Sequence, residues 1–436
     1  MAFSLHGVHV PHRKNTANSS AKRLPTPSSV TLPMSMHIGK PAVPCVNVGD
    51  NVFVGTPVAT QDGFVSSPIY SSVSGKVIKI SEILLANGAV TKALVIESDG
   101  EMNADPTITP PTINSSEDLI AAIKNSGVVG LGGAGFPTYV KFSVDPSRIE
   151  ELIINGAECE PYITSDSLTM TERSEDMAIA IRAFIKHLGV KKIIIGIENN
   201  KKQAIASMKK LASDIPEVSV KVLPALYPQG GEKVLVYHST GKVIPAGKLP
   251  IDVGCIVCNC TTVAAIGGFI RSGMPLVNKC VTVDGGSIKE PSNVIAPIGT
   301  PISELIEFCG GFKEEPEKVL YGGPMMGISV PTLSLPVLKN TNAIVALSAK
   351  EAAEPKTTAC IRCGTCTNHC PFGINPADIA RAYQKKDIGA LNKLRVDICM
   401  ECGCCSYICP AHRPLVQTNK LAKALIREEK MKEEKK

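Results

Sequence analysis

The sequence predicts a multidomain α/β protein with a β-rich N-terminal unit and an α-helical, cysteine-rich C-terminal unit. Three observations carry that expectation. From Glu117 to about residue 225, segments of helical and strand period alternate, the pattern of a mostly parallel sheet with helices on its faces. Ahead of it, Val and Ile alternate with polar residues between Gly, Pro and Asp punctuation, which predicts short strands. Near the end, one cysteine spacing occurs twice. At 436 residues, 44% of them hydrophobic and with a mean hydropathy of +0.12, the chain can fill several cores.

The elements follow in order. Residues 1–27 form a polar, basic arm, with "KNTANSSAKRLPTPSS" as extended coil, and no apolar leader segment is expected there. Residues 28–114 form a small barrel or sandwich. Its halves, "GDNVFVGTPVA" and "SSVSGKVIKI", resemble a biotinyl/lipoyl-type hammerhead, a barrel-sandwich fold. No carrier lysine stands in "FVSSPIYSS", so the unit is expected to be scaffold. Residues 115–270 form the α/β domain. Helices are expected in "SEDLIAAIKNSG", "SEDMAIAIRAFIKHLG" and "KKQAIASMKKLASDI", and strands in "IEELIIN", "KKIIIGI" and "VSVKVLPA". Residues 271–330 resemble a soluble-ligand-binding β-grasp module. Residues 331–355, rich in Pro, Ser, Thr and Ala, are expected as a linker. Residues 356–418 hold the cysteine motifs, with helices in "INPADIARAYQKKDIGALNKLRVD", and residues 419–436 form a charged tail, a solvated helix or coil.

Charge and composition exclude several classes. Residues 356–436 carry 15 Lys/Arg against 8 Asp/Glu, while the rest of the chain is near −1. Few aromatics accompany those basic residues, which argues against nucleic acid. The uncharged stretch Val253–Ile270 is interrupted by Asn259, Thr261, Thr262 and three cysteines, so it reads as a buried strand and helix rather than a membrane span. A soluble or peripheral protein without a transmembrane helix is expected.

Nine of the sixteen cysteines lie between Cys360 and Cys409, which suits metal binding better than a disulfide framework. Cys360, Cys363, Cys366 and Cys370-Pro371 repeat the spacing of Cys399, Cys402, Cys405 and Cys409-Pro410. Both are C-x2-C-x2-C-x3-C-P, the run that holds [4Fe–4S] clusters, in which the fourth cysteine ligates the other cluster. One cluster is assigned to Cys360, Cys363, Cys366 and Cys409, the other to Cys399, Cys402, Cys405 and Cys370; Cys404 is expected to be a non-ligand. A pair of zinc sites is the alternative. The resulting unit is a two-cluster, ferredoxin-like domain.

"GVVGLGGAGFPTYVKF" contains G-x-G-x-x-G from Gly130. It fails the context of a dinucleotide fingerprint, because a helix precedes it and Phe136-Pro137 follows. A glycine loop of this kind still turns backbone N–H groups toward an anion. With "IINGAECEP", "YPQGGEKVL" and "VCNCTT" in this order, residues 115–330 resemble the NADH- and FMN-binding subunit of respiratory complex I and its relatives, which implies a Rossmann-like flavin domain. The resemblance places the FMN phosphate and ribityl chain at Gly130, Gly132, Gly133, Gly135 and Lys141. It places the isoalloxazine and ribityl beside Asn155, Glu158, Gly230, Asn259 and Thr262, with Gly231 in the same loop. Phe136, Glu160, Glu232 and Lys248 would face NAD(H). The chain departs from that family at Ala157, where the family has Asp, at Gly231, the first Glu of a pair, at Cys258, the first Asn of a pair, and at Ile251, where an aromatic stacks on adenine. No residue is assigned as catalytic; Glu160 and Glu232 read as orienting groups.

The whole arrangement resembles the RnfC family of the Rnf complexes, which are membrane-bound ferredoxin:NAD+ oxidoreductases coupled to Na+ or H+ transport. That implies a peripheral protein on the cytoplasmic face of a bacterial membrane. It would carry FMN and two [4Fe–4S] clusters, use NAD(H), and meet the membrane subunits and a ferredoxin-like iron–sulfur subunit. Cobalamin reductase of bacterial microcompartments has similar domains and is the rival enzyme. A non-catalytic electron-carrying scaffold is the rival of another class.

Overall fold

The computed structural model describes residues 6–433; the first five residues of the expected arm and the last three of the tail lie outside it. The α/β domain is built on four parallel strands in the spatial order Val218–Leu223, Ile193–Glu198, Glu151–Gly156, Cys255–Asn259. Helices cover both faces, so the central strand "IIIGIE" is buried at every residue. Numbered within the domain the order is 3-2-1-4, which reverses between the first and fourth strands. Such a reversal opens a crevice at the strands' carboxyl ends. Helix Ser116–Asn125 begins with a capping box made by Ser115 and Asp118, and helix Ser174–Leu188 stops at Gly189 in the left-handed conformation. The glycine loop runs between helices Ser116–Asn125 and Thr138–Phe142, not between a strand and a helix. Phe142 anchors its far side by stacking on Phe184, 4.9 Å between rings.

The N-terminal unit is two small sheets packed on one apolar core, a barrel-sandwich as expected. It presses on the glycine loop: Ile38 N–H donates to the Gly135 carbonyl at 2.9 Å, and Tyr139 of the following helix donates to the Phe64 carbonyl.

Three expectations are corrected. The stretch 331–355 is not a linker. Its Ala343–Leu347 segment is a fully buried strand in the middle of a six-stranded sheet, parallel to Asn278–Asp284 and antiparallel to Lys318–Tyr321. An all-apolar run of five residues carries no alternation, so its period does not tell a buried strand from a buried helix segment. The arm is not loose: Lys22–Arg23 adds an edge strand to the same sheet, and Val8 pairs with Tyr227 through two backbone hydrogen bonds of 2.8 and 3.0 Å. The tail is a helix over Leu415–Glu433, one of the two forms expected, but it is not solvated throughout: Asn419, Ala422 and Ile426 are buried against the cysteine domain.

Lys339, from the expected linker, is 1% exposed and joins three units. Its ammonium donates to Ser67 Oγ at 3.1 Å, to the Pro68 carbonyl at 2.5 Å and to the Gly127 carbonyl at 2.8 Å. Burial pushes its pKa down to about 7. An unfolded lysine holds a proton that the folded one sheds first, so this group adds stability as pH rises from about 7 toward 10. Lys339→Met is expected to cost about 1–3 kcal/mol at the higher pH, by stranding buried acceptors, and to flatten that rise. Thermal melts at both ends of the range check it; an identical pH response in both proteins would contradict it.

Candidate functional site

The crevice is framed by two asparagines. Asn155 and Asn259 face each other as register partners at the ends of their strands. Asn259 also caps helix Cys260–Ser272: its Oδ1 accepts the Thr262 N–H at 3.2 Å, and its Nδ2 donates to Asp166 at 2.7 Å. Thr262 Oγ accepts the Leu131 N–H at 2.9 Å, which ties the glycine loop to the same helix start. Gly132 must be glycine, because a Cβ there would sit 2.8 Å from Asn259 Nδ2. Gly133 and Gly135 hold left-handed conformations, at φ 116° and 66°.

Two backbone hydrogen bonds close the loop, Gly130 N–H to the Phe136 carbonyl at 2.8 Å and Gly135 N–H to the Gly130 carbonyl at 2.9 Å. Gly132, Gly133 and Ala134 form its exposed tip, and their N–H groups meet no acceptor among the described residues. Such a run of free amides beside a helix N-terminus suits a phosphate.

The loop is held by groups the sequence does not announce. Asn340 donates to the Gly133 carbonyl at 2.8 Å, and buried Lys279, from strand Asn278–Asp284, donates to the Leu131 carbonyl at 3.2 Å. Neither lysine nor asparagine in a β-rich stretch signals a cross-domain clamp, and only the assembled fold brings them here.

On the other wall, Asn155 donates to the Gly230 carbonyl at 2.9 Å and accepts the Ala157 N–H at 3.0 Å. Glu158 is buried, accepts the Asp166 N–H at 2.7 Å and the Ser167 hydroxyl at 2.9 Å, and lies 3.7 Å from Lys201. Burial raises its pKa. The arm's Lys14 donates to the carbonyls of Glu158, Glu160 and Ile163. Glu160 is pushed up to about 7 by burial and accepts the N–H groups of Met325 and Met326, at 3.1 and 2.8 Å.

Two site expectations change. Lys141, expected at the flavin phosphate, is paired with Glu232 at 2.9 Å and with the Val257 carbonyl at 3.0 Å, so its charge is already matched. Lys248, expected at NAD(H), is exposed on the turn before Pro250, and no side-chain contact joins it to the crevice among the described residues. Ile251 packs against the domain core.

The cysteine loops repeat one backbone course. Arg362 and Glu401 share a left-handed conformation, at φ 56° and 61°, as do Gly364 and Gly403, at 75° and 83°. Each loop then starts a short helix. Cys370, Cys399, Cys402 and Cys405 line one cavity, together with Cys404. Among the described residues no three Cys, His, Asp or Glu converge as a single metal ion requires. A ring of four thiols around a cavity fits a cluster whose ligands bind separate irons. Cys399 Sγ accepts the Glu401 N–H and the Asn419 amide, each at 3.4 Å. Cys366 and Cys409 share a packing cluster, while Cys360 and Cys363 are exposed.

The second cysteine loop docks on the crevice. Tyr227, at the start of the Gly230 loop, donates its hydroxyl to the Cys402 carbonyl at 2.7 Å. Met400 fills the space beside Gly231, where a Cβ would meet its methyl at 2.4 Å. Val8, Val10, Tyr227, Cys402 and Cys404 form one buried cluster, flanked by Cys159, Met325 and Met400.

Comparison with known proteins gives four matched families of domain. The Nuo51 FMN-binding domain covers residues 123–268, the RnfC barrel sandwich hybrid domain residues 3–101, the SLBB domain residues 280–329 and the 4Fe-4S dicluster domain residues 354–410. The RnfC protein of the proton-translocating ferredoxin:NAD(+) oxidoreductase complex of Clostridium ljungdahlii is 41% identical, over 87% of this chain and 84% of the relative. Its counterpart in the Na(+)-translocating complex of Acetobacterium woodii is 42% identical, over 87% of each. The corresponding protein of the ion-translocating oxidoreductase complex of Rhodobacter capsulatus is 39% identical, over 98% of this chain and 84% of its own. Among solved structures, an NAD+-reducing [NiFe]-hydrogenase in the H2-reduced state aligns with a TM-score of 0.50 at 16% identity, covering 71% of this chain and 60% of that one, a likeness of fold. Among the described residues, no helix is long and apolar enough to cross a membrane.

Asn259→Ala removes a helix cap and the Asp166 partner together. It is expected to lower stability by about 1 kcal/mol and to loosen the glycine loop. Faster hydrogen exchange at Leu131–Gly135 would show this; exchange unchanged there would refute it.

Proposed function

The chain belongs to the RnfC family of ion-translocating ferredoxin:NAD(+) oxidoreductase complexes, and from that premise we propose that it passes electrons between a nicotinamide and a one-electron partner through a flavin crevice and two cysteine loops. The observation that carries this reading is the junction at Tyr227. It seats the Cys399–Cys405 loop directly on the crevice wall, while the Cys360–Cys366 loop faces outward. A bound FMN exchanges hydride with NAD(H) and single electrons with [4Fe–4S] clusters, a conversion the polypeptide alone has no group to perform.

The chain's own residues bind, orient and exclude water. Gly130, Gly132, Gly133 and Gly135 offer the amide cradle, with Thr262 and Asn259 fixing its position. Asn155, Glu158 and Gly230 line the opposite wall. Phe136, Glu160 and Glu232 stand where a nicotinamide would be oriented. Glu160 accepts the Met325 and Met326 amides, which fix its carboxyl group as an orienting group. Cys370, Cys399, Cys402 and Cys405 hold the cluster next to the crevice; Cys360, Cys363, Cys366 and Cys409 hold the outer one. The chain then acts as the peripheral component on the cytoplasmic face, docked to membrane subunits and to a ferredoxin-like iron–sulfur subunit. Relatives of equal similarity are named for different ions, so the ion is a property of the complex rather than of these residues.

Paired cysteine variants test the order. Cys402→Ser is expected to leave NADH-dependent flavin bleaching intact while neither cluster is reduced by NADH. Cys363→Ser is expected to leave the flavin and the inner cluster reducible and to stop transfer to an added one-electron acceptor. EPR and visible spectra of the anaerobic proteins decide it. Outer-cluster reduction surviving in the Cys402 variant would sink the proposed order.

A further inference from the structure

The wall segment 157–164 lies between strand Glu151–Gly156 and helix Ser165–Glu172 and has no helix or strand of its own. It carries Glu158 and Glu160, two of the carboxylates assigned to the crevice. Its course is strained: Tyr162, a bulky residue, holds a left-handed backbone at φ 70°. Such a conformation persists only where its surroundings over-determine it. The arm supplies much of that support. The Tyr162 N–H donates to the His12 carbonyl at 2.9 Å, and Arg13 donates to the Tyr162 hydroxyl at 2.6 Å. The hydroxyls of Thr16 and Thr164 share a hydrogen bond.

Lys14 is the centre of this latch. Its ammonium donates to the Glu158 carbonyl at 2.9 Å, to the Glu160 carbonyl at 2.6 Å and to the Ile163 carbonyl. Three carbonyls of one short stretch turned to a single point make a cation site, and the chain fills it with its own lysine. An ammonium has three protons, so donors and acceptors match one to one. Without it, three part-buried acceptors lose their partner and face one another.

The same charge balances the wall. Glu158 and Glu198 are both buried, and Glu198 Oε2 has no hydrogen-bond partner among the described residues. Lys201 lies 3.7 Å from Glu158. Lys14 and Lys201 are the two cations set against this carboxylate pair, and Asp166 adds a further negative charge beside Glu158. Loss of Lys14 leaves the group one cation short, and an unmatched buried carboxylate is costly.

We propose that Lys14 is a positioning residue of the flavin crevice: the arm's ammonium shapes segment 157–164 from behind and so sets how tightly FMN is held and how readily it is reduced. This rests on the flavin reading above. The phosphate and the reduced ring of FMN are both negative, so a wall one cation short disfavours each. Lys14 bonds to backbone carbonyls and acts through the residues that carry them.

The test uses the full chain with both clusters loaded. Lys14→Met keeps the side chain's length and removes its charge. Amide hydrogen exchange is read before FMN is added, FMN binding by calorimetry, and the flavin midpoint potential by anaerobic titration. In Lys14→Met, exchange at Tyr162 and Thr164 is expected to be at least about tenfold faster and FMN to bind at least about tenfold more weakly. Its midpoint potential is expected to fall. Lys14→Arg, which keeps the cation and its donors, is expected to recover most of all three. Lys22→Met removes an equal charge from the arm's edge strand and is expected to match the wild type. If Lys14→Met yields too little folded protein, Arg13→Ala loosens the same segment from an exposed site. It is expected to shift exchange and FMN affinity in the same direction by less, and an Arg13→Ala chain that matches the wild type would count against the latch. Unchanged exchange in Lys14→Met, or faster exchange with FMN affinity and potential unmoved, would overturn the proposal. So would an arginine variant as impaired as the methionine one, or an equal loss in Lys22→Met. A wild type that takes up no FMN would sink the flavin reading itself, and this proposal with it.

Discussion

One constraint organises the molecule: a flavin crevice and a cysteine loop have to be held in contact although they come from units more than a hundred residues apart in sequence. Tyr227 meets that constraint. Its backbone pairs with Val8 of the arm, and its hydroxyl donates to the Cys402 carbonyl. Its neighbourhood is apolar and buried, where a hydrogen bond is worth more and its loss costs more than in water. The arm, the β-grasp module and the cysteine domain all converge on this point. Domain interfaces within a chain are commonly mobile; here several buried polar contacts cross them.

The same logic governs the glycine loop. It is positioned by three units at once, through Ile38, Thr262, and the pair Lys279 and Asn340. Its free amides point to a ligand because everything else about the loop is already bonded. Burying lysines to do this is costly unless each finds acceptors. Lys339 and Lys14 each reach three. Lys339 holds the start of the glycine loop at Gly127, and Lys14 holds the segment that carries Glu158 and Glu160.

Much of this is legible in the sequence. Alternating β and α segments point to the parallel sheet, and the doubled cysteine spacing points to the clusters, because both are local patterns with a physical period. The glycine motif, preceded by a helical pattern and followed by Phe136-Pro137, is already distinguishable from a strand–turn–helix fingerprint. What stays hidden is long-range. "AIVAL" is too short and too uniformly apolar to declare itself a central strand. Lys339 and Asn340 look like ordinary linker residues until the fold sets them against Gly127 and Gly133. Lys141 and Glu232 read as groups for different ligands, yet they pair, because opposite charges from neighbouring elements satisfy each other first. Met400 approaches Gly231 closely.

The central claim is a continuous relay from the crevice to the outer cysteine loop. The most direct measurement is an anaerobic titration of the chain, reconstituted with iron, sulfide and FMN, by NADH, with visible and EPR spectra recorded together. The account predicts flavin bleaching followed by reduced-cluster signals. A bound flavin that ignores NADH, while dithionite still reduces both clusters, would contradict it and leave the chain a conduit fed by another donor.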